Sequence, residues 1–312
     1  MTAWLQTPDW TATPSAERPA KPPRSLRDRT ATWLSWALSL FVLAVVVNQL
    51  AVFGLDRLLA MLPTSPTFYL ILAALYLTLP ISEMIIFQRI WHAPPATLVP
   101  LLRKGVINDL VVNYGGELYL YRWARRHVTH NVLPFGAIKD VSILSAAVGN
   151  IVTLATLAIA APWLGDLLPP RLFGPLLGSV AMLSAVPLLL AIFSRKVFSL
   201  SAEERRFVGI AHLARILCSS CLMALLWSCV LPDVPATYWF ALQSLRLLAS
   251  RLPLLPNKDM LFASIAVTIV GQQSSVTTLL SLTAMATMAL HLVTFAALWL
   301  SDLLGAGKRH QP

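Results

Sequence analysis

Residues 259–301 form a 43-residue run in which Asp259, at its start, is the only Asp, Glu, Lys or Arg. A helix rises about 1.5 Å per residue and a bilayer's hydrocarbon core is about 30 Å thick, so the run is long enough for two crossings. Lipid offers backbone amides and carbonyls no partner, which makes helices the structure expected of such a run. Gly271, Gln272, Gln273, Ser274 and Ser275 are the polar interruption near its middle, and they predict where the two crossings part.

The same reading extends along the chain. Apolar stretches predict further crossings over 31–53, 67–88, 141–161, 173–193, 207–231 and 236–252. Trp33 and Trp36 open the first of these at the depth where indole rings favour the interface. The expected fold is all-α, a polytopic helical membrane protein of about eight transmembrane helices. Re-entrant or broken helices are expected near 106–123 and 257–275. Composition agrees: 57% of residues are apolar and 12% charged, where a soluble domain would carry about a quarter charged. Residues 1–30, with Pro14, Pro19, Pro22 and Pro23 among basic residues, read as a disordered cytoplasmic tail rather than a cleavable signal peptide. Residues 31–305 then form a single transmembrane domain, and 306–312 a short cytoplasmic tail.

Charge sets the orientation. The net charge of +10 is spread between apolar runs rather than gathered on a basic face, which argues against nucleic acid. With both termini in the cytoplasm, 21 of the 24 Lys and Arg fall on the cytoplasmic side, only Arg57 and Arg171 fall outside, and Arg215 lies within the membrane. Cys218 and Cys221 have C-x-x-C spacing, but apolar surroundings and the lack of a second pair make small buried residues the better reading for them and for Cys229. No metal or cofactor is expected.

The segment 106–126, VINDLVVNYGGELYLYRWARR, concentrates polar groups in an otherwise lipid-soluble chain. Such groups need water or internal partners, because an unsatisfied polar group in hydrocarbon costs several kcal/mol. A re-entrant or interfacial hairpin turning at Gly115 and Gly116 fits this pattern, and an ordinary surface helix fits almost as well. Asn113, Glu117 and Arg122 are its candidate binding residues. Arg122 suits a phosphate because its fork meets two oxygens at once. The belt of Arg122, Arg125 and Arg126 beside Tyr119, Tyr121 and Trp123 equally suits an interface with acidic phospholipid.

Glu83, His212 and Arg215 are ionisable groups inside expected crossings, where such residues face a bundle interior or a watery cavity. His212 and Arg215 are three apart and share a helix face. Glu83 and His212 are the candidates for proton coupling, Arg215 for an anionic head group, and a structural ion pair or a snorkelling Glu83 is the plainer alternative. Asp259 sits beside Asn257 and Lys258 in a polar corner. This corner reads either as a helix cap or as a half-helix aiming its dipole into the bundle. G-x-S-x-G, H-E-x-x-H and Walker patterns are absent.

Three segments resemble the lysylphosphatidylglycerol synthase transmembrane-region family, a flippase-like integral membrane domain. They are N-Y-G-G-E-x-x-x-Y-R ending at Arg122, FGAIKDVSILSAAVGNIVTL, and RLPLLPNKDMLFASIAVTIVG. The resemblance implies translocation of a lipid or lipid-linked precursor, with Glu117, Arg122 and Asp259 as the matching positions, in a bacterial inner membrane. It does not extend to the aminoacyl transferase. The function expected is thus a transporter or flippase whose partner is an anionic membrane lipid, with homo-oligomerisation left open. The alternatives are a lipid-modifying membrane enzyme using Glu117 or Asp259 as a base, and a noncatalytic subunit of an envelope-lipid synthesis complex.

Overall fold

A computed structural model describes residues 62–110, 115–128, 133–251, 258–270 and 275–308. The expected tail 1–30, the expected crossing 31–53 and Asn113 lie outside the described residues. Among the described residues there is no strand, and nine α-helices follow in order: α1 Pro66–Trp91, α2 Leu98–Leu110, α3 Gly115–His127, α4 Pro134–Leu167, α5 Phe173–Val197, α6 Ala202–Val230, α7 Ala236–Ser250, α8 Lys258–Val270 and α9 Ser275–Lys308. The all-α expectation holds.

Four helices, α1, α4, α6 and α9, are long and apolar enough to cross a membrane among the described residues. Four is fewer than the eight expected. Of the others, the expected crossing 31–53 lies outside the described residues, and α7, with 15 residues, falls short of a 30 Å hydrocarbon core at about 1.5 Å per residue. α2 is described to Leu110 and α3 from Gly115, α8 to Val270 and α9 from Ser275, and the positions between them, where breaks were expected, lie outside the described residues. At its far end α9 runs on to Lys308, into the segment expected as a tail.

Local signals explain the helix ends. α6 starts with a capping box, in which Ser201 Oγ accepts from the Glu204 amide and Glu204 Oε2 accepts from the Ser201 amide, so two otherwise orphaned donors are satisfied. α1 ends where His92 takes a left-handed φ of 51°, directly before a segment in which Pro94 and Pro95 cannot continue a helix. Inside α1, Pro80 withholds the amide that the Tyr76 carbonyl would otherwise accept from.

Two large apolar cores form among the described residues. In the larger, Trp227 of α6, Trp239 of α7 and Phe262 of α8 gather with Met223, Leu242 and Phe68, all nearly fully buried. The smaller joins the end of α1 to α2, α3 and the start of α4, with Phe87 stacked on Trp91 at 4.4 Å between centroids and Leu101, Leu120 and Val141 around them. On α1 the two cores contribute Phe68–Leu72 and Ile86–Trp91, and the polar stretch around Pro80 and Glu83 lies between them.

The outer faces are apolar as well, with Leu70 on α1, Ile159 on α4, Ile210 on α6 and Val293 on α9 all exposed. Cys218, Cys221 and Cys229 belong to this outer face of α6. The expectation that they are buried fails, because a lipid-facing stripe and a core position look alike in composition.

A buried carboxylate fixes the link into α6. Asp140 of α4 is fully buried, and its Oδ2 accepts from the amides of Ser199 and Leu200 at 2.6 and 2.7 Å. We expect Asp140→Ala to cost about 2–3 kcal/mol by leaving both amides unpaired, read as a lower melting temperature in detergent, whereas Glu203→Ala on the exposed Arg89 pair leaves it unchanged.

Candidate functional site

In α2, Leu101, Lys104 and Asn108 recur at helical spacing, so the helix turns a lysine toward the interior along with its apolar residues. Lys104 is buried and ion-pairs with Glu83 of α1 and, at 3.3 Å, with Glu117 of α3. Burial by itself favours the neutral amine, but the two carboxylates overcome it and hold the Lys104 pKa above the ordinary lysine value.

The contact between α2 and α3 depends on Gly116. Its amide donates to Asn108 Oδ1 at 2.8 Å, and a Cβ there would meet the Lys104 carbonyl oxygen and side chain. Asn108 Nδ2 donates to Glu117 at 3.4 Å. Glu117 also stands in the first turn of α3, where a negative charge suits the positive end of the helix dipole.

A second group assembles where α6, α7 and α8 meet. Arg246 of α7 pairs with Asp259, in the first turn of α8, at 2.7 and 2.9 Å to its two oxygens. Lys258 donates to the Ser250 carbonyl at 2.8 Å, capping the end of α7. Arg251 lies over Gly149 of α4, where any Cβ would strike the guanidinium. Arg215 of α6 reaches Ser145 at 3.4 Å, and its Nε is buried without a hydrogen-bond partner.

Both groups face one cavity of about 370 Å³, within the size range of small-ligand sites. His291 of α9 also lines it, with Nε2 at 3.2 Å from Asp109 Oδ2 and Nδ1 at 3.2 Å from the Tyr76 hydroxyl. The Arg246–Asp259 pair is only partly buried, and a double-mutant cycle with Arg246→Ala and Asp259→Ala is expected to return about 1–2 kcal/mol, between an exposed and a buried pair.

Of the residues singled out in the sequence, Glu83, Glu117, Arg215 and Asp259 line this cavity. His212 is fully buried and does not line it, although Arg215 three residues on does. Arg122 is exposed and lies away from it. The buried residues of α3 are Gly116, Leu120 and Ala124, four apart, and Arg122 falls about half a turn from that stripe. Lys104 and His291 were missed as site residues. For Lys104 the signal was its register with Leu101 and Asn108. His291 offered only its place as a lone imidazole in an apolar run.

No family model matches the chain, and neither a curated protein nor a solved structure is significantly similar to it.

Proposed function

We propose that this protein is an integral membrane transporter or flippase that takes the head group of an anionic lipid or lipid-linked precursor into the cavity between its helices. The observation that carries the reading is the set of cations facing that cavity: Arg215, Arg246, Arg251 and Lys258 approach from three helices whose remaining faces are largely apolar. Arginine forks suit phosphate oxygens, and a cationic site at membrane depth marks a pathway for an anion more readily than a surface patch does.

The membrane arrangement that goes with this function is about eight crossings with both termini in the cytoplasm of a bacterial inner membrane. The four long helices supply half of them, 31–53 and α5 two more, and α7 and α8 cover part of the thickness each. The asymmetry of Lys and Arg along the chain supports that orientation.

Native mass spectrometry of the gently solubilised protein tests the binding step. Wild type is expected to retain one phosphate-bearing lipid class, Arg215→Ala to lose it, and Arg122→Ala, whose side chain lies away from the cavity, to keep it. Unselective lipid, unchanged across these variants, contradicts the reading.

A further inference from the structure

The cavity is divided by charge. On one side α1, α2 and α3 bring three carboxylates, Glu83, Asp109 and Glu117, around one lysine, Lys104. On the other, α6, α7 and the start of α8 bring Arg215, Arg246, Arg251 and Lys258 around one aspartate, Asp259. Lys104 pairs with Glu83 and Glu117 on the first side, and Arg246 with Asp259 on the second. Asp109 meets His291 rather than a cation of the opposite side. Neither Arg215 nor Lys258 pairs with a carboxylate among the described residues.

Each side also holds a polar atom with an unused valence. Arg215 Nε is a buried donor without a hydrogen-bond partner, and Glu117 Oε2 is a buried acceptor without one. Two glycines keep the arrangement open: Gly149 leaves the space that the Arg251 guanidinium fills, and Gly116 the space that Lys104 fills. Charges of opposite sign separated by a low-dielectric gap attract strongly, so a ligand that places an anion and a cation in the gap completes both sides. A phosphate alone suits the arginines but sets its negative charge against three carboxylates.

We infer that the head group bound here carries a phosphate and a primary ammonium in one molecule, the phosphate toward Arg215 and the ammonium toward Asp109 and Glu117. A primary ammonium has three N–H donors for these carboxylates, and a trimethylated one has none. The inference rests on the lipid reading above for the chains and the phosphate of the ligand, and on the cavity alone for the ammonium, which makes the preferred head group zwitterionic rather than anionic overall.

The test is a native mass spectrometric titration of the purified full chain with phosphatidylethanolamine, phosphatidylglycerol and phosphatidylcholine of matched acyl chains, and with glycerophosphoethanolamine, which has the same phosphodiester and ammonium and no acyl chains. Phosphatidylethanolamine is expected to bind about tenfold tighter than the other two lipids, a difference of about 1.4 kcal/mol. Asp109→Asn, at a side chain 44% exposed and outside the Lys104 pairs, is expected to bring it down to the phosphatidylglycerol level, and Arg215→Ala to weaken all three lipids.

Equal binding of phosphatidylethanolamine and phosphatidylglycerol, both lost in Arg215→Ala, overturns the inference and leaves the anionic-lipid reading standing. A preference that survives both Asp109→Asn and Glu117→Gln also overturns it. Glycerophosphoethanolamine binding as tightly as its lipid upholds the charge pairing and overturns the lipid reading. Failure of every lipid and of glycerophosphoethanolamine to bind selectively overturns both.

Discussion

Lys104→Ala is expected to destabilise the protein by about 3–5 kcal/mol, the cost of leaving a buried charge without its partner, and to lower its melting temperature in detergent by on the order of ten degrees. Glu83 and Lys104 have side chains only 7% and 6% exposed, and Glu117 18%, so water cannot take the place of the missing ammonium. The sign of the effect depends on removing one partner alone. A buried ion pair and an apolar replacement of similar volume are close in free energy, so combining Lys104→Met with Glu83→Gln and Glu117→Gln is expected to recover most of the lost stability. If the single variant melts like the wild type, these groups are not buried together as described. If the triple variant is as unstable as the single one, the loss comes from packing rather than charge.

Gly116→Ala is the second large effect. The added Cβ would meet the backbone oxygen of Lys104 as well as Asn108 Oδ1 at 2.9 Å, and backbone does not move aside as a flexible side chain would. Overpacking of this kind costs about 1–3 kcal/mol, and here it also pulls the Gly116 amide from Asn108 and shifts Glu117 relative to Lys104. The expected result is a lower melting temperature together with weakened lipid retention. Gly178→Ala on α5, at a position with open space around it and outside the cavity lining, is expected to change neither.

The parts of the fold that follow from composition and periodicity were legible in the sequence. Long apolar runs marked α1, α4, α6 and α9, because a helix needs about 20 apolar residues to cross a bilayer. Helix length was harder to read. The stretch 236–252 has the hydropathy of a crossing, yet α7 ends at Ser250 after 15 residues, where Arg251 turns toward Gly149.

The site was legible one residue at a time but not as a set. Glu83, Glu117, Arg215 and Asp259 stood out because charge is rare in apolar surroundings. Their partners did not. Lys104 lies 21 residues from Glu83 and Arg246 lies 13 from Asp259, and pairings between separate helices leave no local pattern. Lys104 looked like one basic residue among several near an interface, and only its register with Leu101 set it apart. Arg122 misled in the opposite sense. Its motif suggested a phosphate contact, while the four-residue spacing of Gly116, Leu120 and Ala124 already turned it outward.

The most direct test of the central claim, that the cavity between the helices carries a lipid head group across the membrane, is a dithionite bleaching assay on vesicles containing the purified protein and a phospholipid labelled on its acyl chain. Without transport, dithionite bleaches the outer leaflet alone, about half of the label. Wild-type protein is predicted to move the bleachable fraction away from one half, and Arg215→Ala to return it to the protein-free value. A wild-type fraction equal to that of empty vesicles, or an Arg215→Ala fraction equal to wild type, contradicts the account.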